Sequence, residues 1–84
     1  MNKILVTIYV LALGVEYDML IPINLVVKDA ILLIQEGIVD LVGDDYLVSN
    51  KAILYDEKGK IINSNNIVKF SGLKNGSKVM LVSL

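Results

Sequence analysis

The first quarter of the chain constrains the fold most, because it holds two runs of alternating side chains with a short turn between them. Residues 4–11 and 15–21 each repeat with a period of two, the period of a strand with two unlike faces. Gly14 ends the turn, and Pro22 stops the second run because proline cannot donate to a strand ladder. The two runs predict an N-terminal β-hairpin.

The same N-terminal segment also has the outline of a secretory signal peptide. Lys3 gives the N-terminus the positive charge of a signal peptide, and the apolar run follows it. Ala12 and Gly14 are small residues near a potential cleavage site. Signal sequences are usually leucine-rich and aperiodic, whereas this run is regular and rich in β-branched residues. We therefore expect a strand and a cytoplasmic protein. The run is also shorter than the roughly 20 residues that span a bilayer, so no membrane span is expected.

The middle of the chain has the spacing of an amphipathic helix. Asn24 is a candidate N-cap, and the helix is expected to end at about residue 41 or 42 unless Gly37 breaks it. The apolar residues recur at steps of three and four, as one helical face requires. They are Val27, Ala30, Ile31, Ile34, Ile38 and Leu41.

Short strands and tight turns fill the second half. Residues 52–55 and 60–62 are predicted strands on either side of a turn at residues 56–59, and Asn75-Gly76 precedes a last strand at residues 79–84. The order is ββαββ, a turn and a final β. It predicts an α+β fold of two layers, with one helix across a mixed sheet of four to five strands. At 84 residues, the whole chain 1–84 is expected to be a single domain.

The composition argues against most catalytic and metal chemistry. The chain has no Cys and no His, and therefore no thiol nucleophile, imidazole base or zinc finger. The adjacent carboxylates Asp44-Asp45 and Asp56-Glu57 sit in turns, where they are expected to be solvated. A net charge of −1 and the absence of Arg argue against nucleic acid as a partner. We therefore expect that the protein is not an enzyme and that it binds no cofactor.

Several motifs of the chain resemble the ubiquitin-like β-grasp fold. They are Leu54-Tyr55-Asp56, Gly59-Lys60-Ile61-Ile62-Asn63, Ser71-Gly72-Leu73-Lys74-Asn75-Gly76 and Val79-Met80-Leu81-Val82. Within that superfamily, two further segments are most similar to the small YukD/EsaB proteins, which are ubiquitin-like accessory proteins of type VII secretion in Gram-positive bacteria. These segments are Tyr17-Asp18-Met19-Leu20-Ile21-Pro22 and Val26-Val27-Lys28-Asp29-Ala30-Ile31.

This resemblance implies a cytosolic, non-enzymatic protein that assists or regulates a type VII (ESX-like) secretion system. It would act by protein–protein interaction, with membrane-associated subunits of the machine as its partners. The chain departs from ubiquitin in closing on Val82-Ser83-Leu84, without a diglycine. A carrier role or covalent conjugation is therefore disfavoured. A self-associating β-grasp domain unrelated to secretion, forming a homodimer, is the other alternative.

The alternation of the strands also predicts which side chains face a partner. A two-layer domain covers one face of its sheet, so the other face is the first candidate interaction surface, unless its apolar residues are scattered or covered by loops. The flanks of the helix are the second, unless they extend the core stripe. The expected core residues are Ile4, Val6, Ile8, Val27, Ile34, Ile53, Tyr55, Val79 and Leu81. The predicted surface on the sheet is Leu5, Tyr9, Leu54, Met80 and Val82, and the one on the helix is Leu32, Leu33 and Val39.

Overall fold

A computed structural model describes residues 2–83 of the chain. It contains four strands and one long helix, with single turns of 3₁₀ helix at Gly43–Asp45 and Val68–Phe70. The elements are β1 (Lys3–Val10), β2 (Val15–Pro22), α1 (Val27–Val42), β3 (Ile53–Tyr55) and β4 (Ser77–Val82).

The four strands form one mixed sheet in the order β2-β1-β4-β3. β1 and β4 run parallel, and the outer strands pair antiparallel with them. The α+β class, with one helix on a mixed sheet, is confirmed. The segment 60–62, predicted as the fourth of five strands, contributes only an isolated bridge between Ile61 and Tyr55. Two hydrogen bonds make this bridge: Asp56 N–H donates to Lys60 O at 2.8 Å, and Ile62 N–H donates to Leu54 O at 2.9 Å.

The N-terminal apolar run is the central strand of this sheet, β1. Val6, Ile8 and Val10 are each at most 1% exposed, and Ile4 is 8% exposed. They pack against the helix residues of the predicted apolar stripe, of which Val27, Ala30, Ile31, Ile34 and Ile38 are buried. The strand prediction is therefore confirmed. Leu41, the last residue of that stripe, lies in the final turn of α1 and is 63% exposed.

The start of α1 differs from the prediction. Its N-cap is Val26, not Asn24, and Val26 makes no side-chain cap. Backbone carbonyls of a distant loop satisfy the first helical donors instead: Val27 N–H donates to Asn66 O at 2.8 Å, and Lys28 N–H donates to Ser64 O at 2.9 Å. The prediction was wrong because capping by a loop almost 40 residues away leaves no local signal.

Gly37 does not break the helix, which continues to Val42. A Cβ at Gly37 would lie 3.4 Å from Met19 Cε, an ordinary contact with the mobile end of a side chain.

We expect Gly37→Ala to raise the free energy of unfolding by about 0.5–1 kcal/mol, because alanine is the better helix former. Gly43, which ends the helix at φ 63°, is the matched control. Gly43→Ala should be destabilising in the same urea titration, and equal effects of the two changes would contradict the argument.

No helix within residues 2–83 is long and apolar enough to cross a membrane.

Candidate functional site

The strand register shows which side chains share the face of the sheet opposite α1. Tyr9 on β1 lies beside Met80 on β4, and Met80 lies beside Tyr55 on β3. Residues paired in register point to the same face, and neighbouring strands are about 4.8 Å apart. These three side chains therefore form a continuous row across three strands.

Leu54 does not belong to this face. It was predicted on the open side, but it is 1% exposed and lies in the core. The prediction was wrong because a strand of three residues carries too little alternation to show its own phase. Pairing with β4 decides the phase: Leu54 is opposite Leu81, which is also 1% exposed.

Ile53 and Tyr55, which were predicted in the core, take the open side in its place. Both are only partly buried, and Ile53 lies opposite Val82. Val82 and Met80 are partly exposed, as is Tyr9. We call this set the open-face patch. It consists of Tyr9, Ile53, Tyr55, Met80 and Val82.

Leu5 is on the predicted face but apart from the open-face patch. It is 40% exposed and pairs with Leu20, which is 60% exposed. Between this pair and the patch lies a polar belt, in which Thr7 Oγ1 donates to Asp18 Oδ1 at 2.6 Å. Lys78 on β4 is in register with Thr7 and extends the belt. The open side of the sheet therefore carries two apolar areas and not one.

The second predicted surface, on the helix, is divided as well. Leu33 and Val39 border one cleft together with Val48. Leu32 borders a different depression, which it shares with Ala52. Val39 is partly buried and packs against the core, as the extended-stripe alternative expected. Leu32 and Leu33, at 43% and 41% exposed, therefore do not act as one surface.

The fold also contains a buried polar cluster that the sequence did not predict. Gln35, on α1, is 0% exposed although its side chain is polar. Its Nε2 donates to Ser49 O, and its Oε1 accepts from Ser49 N–H, both at 2.9 Å. Tyr46 OH donates to the same Oε1 at 2.7 Å and lies 2.8 Å from Ser83 Oγ. The cluster joins α1, the loop after it and the residue that follows β4. The one available signal was a polar residue in the buried phase of the helix, between Ile34 and Ile38.

The open-face patch is suited to contact and not to bond-breaking chemistry. It offers aliphatic groups, one thioether and two phenols. Tyr and Met are side chains that are enriched in protein interfaces. Within residues 2–83 no group of three or more acidic side chains could hold a metal ion.

No protein-family model matches the sequence, and no curated protein matches it. Solved structures do resemble it. The ubiquitin-like domain of the type VII secretion protein EccD1 from Mycobacterium tuberculosis has a TM-score of 0.71 at 16% identity, over 99% of this chain and 100% of that one. The chain has the ubiquitin-like β-grasp fold.

Two further structures share this ubiquitin-like fold. One is a chain of an ESX-5 inner membrane complex, with a TM-score of 0.73 at 14% identity, over 100% of this chain and 21% of that one. The other is the ubiquitin of Caldiarchaeum subterraneum, with a TM-score of 0.67 at 14% identity, over 98% of this chain and 94% of that one. The β-grasp prediction is therefore confirmed.

Proposed function

We propose that this ubiquitin-like domain is a non-enzymatic, cytosolic accessory or regulatory protein of a type VII secretion system, of the YukD/EsaB kind. It acts by protein–protein interaction. The fold shared with EccD1 from M. tuberculosis and with a chain of the ESX-5 inner membrane complex supports a secretion role. The Tyr-Asp and Val-Lys segments of the sequence support the YukD/EsaB assignment.

The observation that carries this proposal is the open-face patch. α1, the one α-helix within residues 2–83, packs on the other face of the sheet. Met80 at its centre lies between Tyr9 and Tyr55. Aromatic and Met side chains grouped at the centre of a surface are typical anchors of a protein interface. A membrane-associated subunit of the secretion machine is the proposed partner.

Met80→Asp tests the patch. We expect this variant to keep the melting temperature within a few degrees of the parent, because Met80 is only partly buried and points away from the core. It should lose the partner, since a carboxylate at the centre of an apolar contact would be desolvated without a counter-charge. Partner binding is measured by crosslinking in cells from a photoreactive residue at Tyr55.

The same photoreactive residue at Leu32, on the helix, is the matched control and is expected to give no crosslink to a secretion subunit. Crosslinks from Leu32 and not from Tyr55 would overturn the choice of surface. A crosslink from Tyr55 only to a second copy of the chain would favour the symmetric dimer instead. Light scattering over a dilution series separates this dimer from a monomer that binds another protein.

A further inference from the structure

The charges of this chain are strongly segregated along the sequence. The net charge of −1 conceals this, because seven of the nine acidic residues fall within residues 15–45, with a single lysine among them. Six of the eight lysines fall after residue 50, with two acidic residues among them. The fold decides whether this separation in sequence is also a separation in space.

The fold places most of these charges at two opposite ends. The exceptions are Asp29, in the first turn of α1, and Asp18, which pairs with Thr7 in the middle of the sheet. At one end, Gly76 N–H donates to Leu5 O at 2.7 Å and Ile23 N–H donates to Asn2 O at 3.0 Å, so these loops lie beside the start of β1. At the other end, Leu11 N–H donates to Leu81 O at 3.1 Å, and the loop after α1 reaches Ser83. We call them the lysine end and the acidic end. The helix of 16 residues that separates them is about 24 Å long.

A broad cleft of about 530 Å³ opens at the lysine end. Four lysines line it: Lys58, Lys60, Lys74 and Lys78. Asp56 and Glu57 also line it, but the Asp56 carboxylate is engaged in its own turn. Its Oδ1 accepts the backbone N–H groups of Lys58 and Lys60, each at 2.9 Å. The cleft therefore has four ammonium groups against the two carboxylates of Asp56 and Glu57, and its net charge is positive.

Exposed apolar side chains accompany these lysines. Phe70 is 67% exposed, and the Nζ of its neighbour Lys69 lies 5.2 Å from the centre of its ring. Ile61 is 60% exposed and directly follows Lys60. Phe70 belongs to the lysine end because Lys69 N–H donates to Ile23 O at 3.0 Å, and Ile23 bonds in turn to Asn2. Large apolar groups flanked by lysines are the pattern of a surface that lies against a membrane.

We propose that the lysine end docks on an anionic phospholipid surface. Each lysine held near such a surface strengthens binding about fivefold, so a cluster of lysines outweighs the small net charge of the whole molecule. The acidic end does not cancel this attraction, because α1 separates it from the lysine end by about 24 Å. That distance is more than twice the Debye length of about 8–10 Å in physiological salt. The cations are all lysines, which act as point charges toward a diffuse anionic surface, whereas arginine suits bidentate recognition of one phosphate.

This inference does not depend on the secretion role, because it concerns the purified protein and lipid alone. The chain has no Trp, so one introduced indole reports on one position. We expect the fluorescence of Phe70→Trp to shift to the blue on vesicles of phosphatidylglycerol and phosphatidylcholine, and not on phosphatidylcholine alone. Leu47→Trp is the matched control, because Leu47 is 82% exposed and lies in the loop after α1, at the acidic end. A blue shift of both indoles, or of neither, would overturn the proposal.

A charge comparison tests the role of the lysines. Lys74→Gln with Lys78→Gln removes two positive charges from the lysine end, and Lys51→Glu lowers the net charge by the same amount near the other end. We expect the first change to weaken vesicle co-sedimentation about 30-fold and the second to weaken it far less. Equal losses would show that net charge alone is responsible and would overturn the proposal.

Two measurements in solution separate the membrane from other anionic partners. If poly-glutamate binds the lysine end and anionic vesicles do not, the partner is an acidic protein and the proposal fails. The other contrary result is that the chain self-associates at low salt in analytical ultracentrifugation while vesicles do not bind it. In that result the lysine end binds the acidic end of a second copy of the chain, and the proposal also fails. Raised salt should release the protein from vesicles if the proposal holds.

Discussion

Leu54→Ala should lower the free energy of unfolding by about 2–5 kcal/mol, the range for removing a fully buried leucine side chain. Leu54 is 1% exposed, and it pairs across the sheet with Leu81 in the core. Because β3 has only three residues, few other contacts can compensate for the cavity. Urea unfolding followed by circular dichroism at 222 nm measures the loss.

Leu47→Ala is the matched control, since it removes the same atoms from a side chain that is 82% exposed. We expect it to change stability by less than about 0.5 kcal/mol. The comparison bears directly on the interaction surface, because alternation alone placed Leu54 on the open face. If Leu54→Ala were as mild as Leu47→Ala, the register of β3 would be wrong and Leu54 would return to the patch.

Gln35→Leu should also be strongly destabilising, by about 2–4 kcal/mol, although leucine has nearly the same size. The change removes the hydrogen bonds that the amide makes with Ser49 N–H, Ser49 O and Tyr46 OH. Gln35 is 0% exposed and Tyr46 is 4% exposed, so losing the amide leaves the Tyr46 phenol buried with one partner fewer. Urea unfolding measures the effect, and hydrogen exchange of the Ser49 amide should rise with it.

Glu36→Leu places the same side chain at the next position of the helix, where the native residue is exposed, and is expected to be nearly neutral. A double-mutant cycle with Tyr46→Phe isolates the bond from the phenol to Oε1. Independent effects of the two changes would show that Tyr46 is held by Ser83 and not by Gln35.

Much of the fold could be predicted from the sequence because long elements carry repeated signals. The hairpin of β1 and β2 is marked by eight-residue strands of alternating side chains, and α1 by five buried apolar residues at helical steps. The α+β class follows from the order of these elements. The N-terminal run also showed its strand character through its β-branched residues, and the structure makes it the central strand.

The errors fall where the decisive contact is distant in sequence. The helix begins at Val27 because carbonyls of residues 64 and 66 accept its first N–H groups. A short segment gives no register of its own. For that reason Leu54 was predicted on the open face and Ile53 and Tyr55 in the core, the reverse of their positions in the structure. Gln35 was overlooked because a buried amide is recognisable only through Tyr46 and Ser49, which the loop after α1 brings to it.

The candidate surface divides in the same way. The sequence alone predicted a two-layer domain with one uncovered sheet face. It also predicted Tyr9, Met80 and Val82 on that face, because alternation in long strands determines which side chains share a face. The tertiary structure alone decided that Ile53 and Tyr55 complete the open-face patch, that a polar belt separates Leu5 from it, and that the charges gather at two ends. These features depend on which strands pair and in what register, and pairing energy comes from residues far apart in the chain.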